Sequence, residues 1–280
     1  MKAITLAIVG TTALLAAASC SPKVYPLAKP ARVAYKSNLK QLRQGYDRFE
    51  PVKLNLDSLR AKQWKAPSPN FDIRTPDLVI IHQTEENSCT QSLHTLTNPR
   101  TNRKVSAHYL ICKDGTVFKL VDERYRAWQA GVSRWGNFHN INSISLGIEL
   151  DNTGKEPFSQ PQIASLLVVL ESIESRYHIP QGNFIAHADV APTRRRDPSV
   201  YFPWQALAEK GFGYWRDSVL PPAPTNFDDL TALRLIGYDI RDTAAAITAF
   251  KRHFVQTSVA PELSDSDRQV LYDVFLKYDR

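Results

Sequence analysis

Residues 184–204 read FIAHADVAPTRRRDPSVYFPW. A short apolar run, Phe184 to Ala186, ends at the imidazole of His187. Ten residues later Asp197 stands in a basic stretch that Pro192 and Pro198 keep from becoming helix. Two metal-capable side chains therefore leave one segment at rigid neighbouring points. A third is at hand in His82, which closes the branched-aliphatic run Leu78-Val79-Ile80-Ile81. Two imidazoles and one carboxylate, with a fourth position open to water, form a common ligand set for catalytic zinc. These three residues are expected to build a hydrolytic site.

The elements around that stretch predict the fold. The unbroken run Leu78 to His82 predicts a strand buried on both faces. Ser88 to Thr97 reads as a short helix. Ala107 to Cys112 and Thr116 to Val121 read as strands flanking Lys113-Asp114-Gly115, since Asp-Gly is a hairpin signal. Ser145 to Leu150 is a further strand, with Gly147 marking a place where another backbone or a ligand comes close. Ser159 and Gln162 fit a capping box, and Ile163, Leu166, Leu167, Leu170 and Ile173 follow at helical spacing. That helix ends near His178, ahead of Pro180. After the strand Phe184 to Ala186, Pro203 opens a helix running to Lys210, with Gly211 as its stop. Helices and strands interleave, so the expected class is α/β, a mixed β-sheet flanked by helices.

Leu220-Pro221-Pro222-Ala223-Pro224 is a linker. Beyond it, Phe227 to Ile236, Thr243 to His253 and a helix capped by Ser264 and reaching Lys277 predict a small C-terminal three-helix domain. The expected divisions are a leader at 1–20, a tether at 21–45, the main domain at 46–218, the linker at 219–226 and the helical domain at 227–280.

The leader reading comes from Lys2 followed by an uncharged apolar run, Ala3 to Ala18. Ala17-Ala18-Ser19-Cys20 resembles the lipobox of bacterial lipoproteins, which makes Cys20 the expected lipidation site, with an ordinary secretory signal as the alternative. Acyl chains there would anchor the chain without a spanning helix. Ser21, following that cysteine, is not the aspartate associated with inner-membrane retention, and favours the outer membrane facing the periplasm. Of the three cysteines, Cys89 and Cys112 remain, and they can form a disulfide or stay as two buried thiols. The formal net charge of +7 is spread along the 280 residues apart from Arg194-Arg195-Arg196, which speaks against nucleic acid as a partner. A monomer is expected.

Several ordered motifs resemble one known family. Ser68 to Asp72, Ile80-Ile81-His82, Ser106-Ala107-His108-Tyr109, Gly147-Ile148-Glu149-Leu150, Ala186-His187-Ala188-Asp189, Arg194 to Pro198 and Phe202-Pro203-Trp204 occur in the order found in the zinc-dependent N-acetylmuramoyl-L-alanine amidases of the amidase-2 and peptidoglycan-recognition group. The likeness is nearest to outer-membrane lipoproteins within that group. It implies Zn²⁺ as cofactor, with His82, His187 and Asp197 as ligands. It also implies Glu149 as general base, and a substrate in peptidoglycan or muropeptides, cut between the lactyl group of N-acetylmuramic or anhydro-muramic acid and L-alanine. The alternative is a non-catalytic peptidoglycan receptor of the same fold, which would lack at least one of those four residues.

Two departures stand out. Arg195 occupies the place where relatives usually carry a lysine. A guanidinium there can still stabilise an oxyanion, in a different geometry, unless it belongs to the solvated run Arg194 to Arg196. Gln129, in Ala127-Trp128-Gln129-Ala130-Gly131, stands where relatives commonly have histidine, and is expected to alter substrate contacts. Trp128 offers a flat face for a sugar or a peptide stem, or else is core. His108 is expected in packing or substrate contact. The C-terminal helices resemble small peptidoglycan-binding domains, with a packing module as the alternative.

Overall fold

The computed structural model describes residues 29–47, 75–100 and 104–279. The expected leader with Cys20, the start of the expected tether at 21–28 and the motif Ser68 to Asp72 lie outside the described residues. The first described element, α1 (Lys29–Asp47), shows that much of the segment expected as a tether is helical. Its Lys, Arg, Gln, Leu and Ala residues favour helix, and Pro30 suits a first turn. Ala31, Ala34, Tyr35 and Leu39 are half-buried, while Arg32, Lys36, Lys40 and Arg43 recur at helical spacing and are exposed.

Five strands form one mixed sheet: β1 (Leu78–Gln83), β2 (Tyr109–Ile111), β3 (Val117–Lys119), β4 (Ser145–Leu150) and β5 (Phe184–Ala186), in the order β3-β2-β4-β1-β5. Only the β2–β3 pair is antiparallel. β1 is buried along its whole length between β4 and β5, as its unbroken aliphatic run requires. The hairpin strands are shorter than predicted. His108 lies ahead of β2, and its ring accepts from the Gly147 amide.

Helix α2 (Cys89–Thr97) is capped by Ser88, whose hydroxyl accepts from the Gln91 amide. Cys89 at its start is joined to Cys112 by a disulfide, with Cα atoms 5.4 Å apart, within the usual bridging range. Helix α4 (Gln160–Tyr177) packs Leu166, Val169, Leu170 and Ile173 into the core. Its cap differs from the expected box in one respect. Ser159 Oγ accepts from the Gln162 amide at 3.3 Å, but the Gln162 side chain turns inward and donates to the carbonyls of Ile111, at 2.8 Å, and Asp151, at 3.1 Å. Gln162 thus ties the helix to the ends of β2 and β4. His178 ends the helix with φ 52°, a left-handed C-cap.

Three short helices surround the sheet ends: α3 (Ile141–Ile144), α5 (His187–Val190) and α6 (Trp204–Ala208). After the prolines come α7 (Asp229–Ile236), α8 (Thr243–Phe254) and α9 (Asp265–Tyr278), capped by Asp228, Asp242 and Ser264. All three predicted C-terminal helices form, yet their apolar faces share one cluster with the sheet, which holds Leu233, Phe250, Phe254 and Leu271 together with Phe184, Phe202 and Trp204. At the join, Gly237 has φ 135° and a Cβ there would lie 2.4 Å from the Trp135 ring, so Trp135 packs against bare backbone. Among the described residues no helix is long and apolar enough to cross a membrane.

Candidate active site

The sheet itself aims the first two functional side chains. His82 and Glu149 are register partners on the parallel strands β1 and β4, so both leave the same face. Gly147, two residues before Glu149, shares that face and makes room for the Gln129 side chain above the strand. β5 ends beside β1, and the chain turns directly into α5, whose first residue is His187. Asp197 comes from the irregular segment that follows. Its carbonyl accepts from the Ala188 amide at 2.8 Å, and the next turn is held by Ser199, whose amide donates to Gln83 Oε1 at 2.9 Å.

The three donors expected from the sequence converge. His82 Nδ1 lies 2.9 Å from His187 Nδ1, and Asp197 Oδ2 lies 3.2 Å from the first and 3.0 Å from the second. All three residues are buried. Their tautomers follow from their outer partners. His187 Nε2 donates to the Ala130 carbonyl at 3.3 Å, and His82 Nε2 donates to Gln129 Oε1 at 2.5 Å. Both rings therefore turn Nδ1 lone pairs toward each other and toward a carboxylate oxygen. Such a cluster repels itself unless positive charge lies among its members.

Burial would lower the His82 pKa, but the hydrogen bond its protonated ring donates to Asp197 and the charge of Glu149 outweigh it and the group is raised. Burial, with His82 next to it, pushes His187 down to about 4. Burial alone would raise Asp197, but His187 and His82 hold its carboxyl well below the ordinary range.

This donor set fits a divalent zinc ion. Bonds of about 2.0 to 2.1 Å in tetrahedral array place ligand atoms about 3.3 Å apart, close to the observed triangle. Mixed nitrogen and oxygen donors disfavour magnesium and calcium, which take oxygen ligands. The outer hydrogen bonds on both Nε2 atoms are the kind that orient metal-binding histidines.

The triad opens into a cleft. Glu149 and Arg195 line it, with Thr84, Glu85, Glu86, Thr95, Leu96, Val105, Ser106 and Trp128. Arg195 is half-buried, and its Nε is buried without a hydrogen-bond partner. Its neighbour Arg194 is engaged elsewhere, donating to the carbonyls of Ala130 and Val132. Trp128 stands at the mouth, 52% exposed, and so is not a core residue.

The structure also places His108, in the packing role that was one of its two expected ones, and Gln129. His108 does not reach the cleft. It is buried, donates from Nε2 to the Tyr125 carbonyl at 2.9 Å and accepts at Nδ1 from the Gly147 amide at 2.9 Å, so both ring nitrogens serve the backbone. Its pKa is lowered by burial. Gln129 lines the cleft, and its side-chain amide is engaged by His82 and by Ser145 Oγ, 2.8 Å from Nε2.

The sequence reading passed over Asp189. This buried carboxylate accepts from the Ala186 amide, from Tyr238 and from His253, and so ties α5 to the C-terminal helices. Its place two residues after His187 was the available signal.

A family model described as N-acetylmuramoyl-L-alanine amidase matches residues 72–200. The chain is 34% identical to the N-acetylmuramoyl-L-alanine amidase AmiD of Escherichia coli K12, over 71% of this chain and 82% of that protein. It is 29% identical to the 1,6-anhydro-N-acetylmuramyl-L-alanine amidase AmpD of Citrobacter freundii, over 51% and 87% respectively. Among solved structures, E. coli AmiD with the substrate anhydro-N-acetylmuramic acid-L-Ala-D-γ-Glu-L-Lys superposes with a TM-score of 0.65 at 31% identity, covering 76% of this chain and 93% of that one. AmpDh3 of Pseudomonas aeruginosa, in complex with anhydromuramic pentapeptide, gives 0.66 at 27% identity, covering 81% and 99%.

Proposed function

Because the chain belongs to the N-acetylmuramoyl-L-alanine amidase family, we propose that it hydrolyses the amide between the lactyl group of N-acetylmuramic or anhydro-muramic acid and L-alanine, with zinc held by His82, His187 and Asp197. The observation that carries this reading is the convergence of three donor atoms in a cleft that also holds a carboxylate and a guanidinium. The muropeptides named with the AmiD and AmpDh3 structures support fragments of peptidoglycan as substrates. The receptor alternative requires a missing donor or a missing Glu149, and all four are present.

When bound, the ion supplies Lewis acidity, polarising an amide carbonyl and acidifying water. Glu149, leaving the same sheet face as His82, takes the proton of the attacking water and passes it to the departing amine of L-alanine. Arg195, which lines the same cleft, stabilises the developing oxyanion with its guanidinium. Trp128 offers its exposed face to the sugar or the first stem residues.

The same proposal places the enzyme as a monomer, lipid-anchored at Cys20 to the outer membrane and facing the periplasm. The Cys89–Cys112 disulfide suits an oxidising compartment. The exposed basic row Arg32, Lys36, Lys40 and Arg43 on α1 suits an anionic lipid surface near an anchor.

Mass spectrometry of products from a defined anhydro-muropeptide tests the reaction. Free anhydro-N-acetylmuramic acid and a stem peptide beginning at L-alanine are expected. Cleavage at another bond, or none, would reject the assignment.

A further inference from the structure

We propose that Gln129 is a positioning residue for the metal site: it fixes the tautomer of His82, and Ser145 in turn fixes the orientation of the Gln129 amide. This rests on the reading that His82, His187 and Asp197 hold a divalent cation.

The hydrogen bonds leave one consistent arrangement. Ser145 Oγ donates its single proton to the Ile141 carbonyl at 2.6 Å, so it can only accept from its other neighbour. That neighbour, 2.8 Å away, is therefore the Gln129 NH₂ group. The Gln129 oxygen then faces His82 Nε2 at 2.5 Å, and an amide oxygen only accepts. The proton of the neutral ring must sit on Nε2, which leaves the Nδ1 lone pair directed at His187 and Asp197.

The surroundings hold Gln129 in that place. The backbone amides of Gln129 and Ala130 both donate to Asn142 Oδ1, at 3.1 and 2.8 Å. A Cβ at position 147 would lie 2.6 Å from Gln129 Cγ, so Gly147 is what lets the side chain cross β4. The next residue, Ala130, supplies the carbonyl that orients His187. Two consecutive residues of one loop thus set the tautomers of both histidines. An imidazole at position 129 can present either an N–H or a lone pair to His82. The amide locked by Ser145 presents only an acceptor, and it is uncharged.

The test compares zinc affinity, by competition with a chromogenic chelator, in wild type, Gln129→Met, Gln129→Glu and Ser145→Ala, together with long-range ¹H–¹⁵N NMR of histidine tautomers in metal-free wild type. Gln129→Met, which keeps the bulk and loses the acceptor, is expected to bind zinc about 10- to 100-fold more weakly. Gln129→Glu, which keeps an acceptor, should bind within about threefold of wild type or more tightly, and Ser145→Ala should fall between. His82 should carry its proton on Nε2. Unchanged zinc affinity in a folded Gln129→Met variant, or a His82 proton on Nδ1 in wild type, would overturn the proposal. If Gln129→Met fails to fold, the wild-type NMR and the Ser145→Ala affinity still decide. Failure of wild type to bind zinc at all would instead reject the metal reading, while the NMR result would still judge the tautomer.

Discussion

His253 Nδ1 lies 2.7 Å from Asp189 Oδ2, and both side chains are buried at the join between α8 and α5. Asp189 also accepts from Tyr238 at 2.7 Å and from the Ala186 amide at 2.8 Å, so its carboxylate is satisfied from three directions. The His253 ring stacks between Trp204 and Phe254, with centroids 3.8 and 3.9 Å away. The helix that begins with His187 is therefore fastened by the C-terminal helices, which supports the packing reading of that module.

Removing one partner of such a buried pair leaves the other uncompensated. His253→Ala is expected to lower unfolding stability by about 3 to 5 kcal/mol, and Tyr238→Phe by about 1 to 3 kcal/mol. Denaturant melts of the full chain measure both. A loss below about 1 kcal/mol in His253→Ala would show that the join is not a stabilising contact.

Glu149→Gln keeps the shape of the side chain and removes its basicity. Zinc content and thermal stability should match wild type, while turnover of muropeptide falls by about 10² to 10⁴. Retention of more than about a tenth of wild-type turnover would assign the proton transfer elsewhere.

Arg195→Ala tests whether the guanidinium in the cleft stabilises the oxyanion. A loss of about 10² to 10³ in kcat is expected, with Arg195→Lys recovering part of it. A loss under about threefold would return Arg195 to the solvated run beside it.

Much of this was legible in the sequence because it is local. The aliphatic run Leu78 to Ile81 and the caps Ser159 and Ser264 state their structure within a few residues. Family-like spacing brought His82, His187 and Asp197 together, although 105 residues separate the two histidines. What stayed hidden depends on partners distant in sequence. Gln129 meets His82 across 47 residues, and Asp189 meets His253 across 64, with no spacing rule to announce either. Gln162 looked like a capping residue because its sequence offset is right, but two buried carbonyls claimed its side chain instead. In α1 a polar composition masked a helical spacing of cations.

Acid should loosen the C-terminal helices. Burial alone would raise the Asp267 pKa, but Lys251 at 2.8 Å and the Ser264 cap outweigh it and hold the carboxyl below its ordinary value. A depressed carboxylate stabilises the fold above its unfolded pKa, and that contribution is lost as pH falls through the folded value. The stability gap between wild type and Asp267→Asn should therefore be full near neutral pH and close as pH drops below about 4. A gap that does not vary with pH would remove the ion pair from the explanation.

The most direct test of the central claim is metal stoichiometry joined to chelation. Purified protein should carry one zinc ion per chain by elemental analysis, lose both the ion and muropeptide cleavage in a strong chelator, and regain both when zinc is added back. His187→Ala should bind none. Full cleavage by protein shown to be free of metal would contradict the proposal that His82, His187 and Asp197 form a catalytic zinc site.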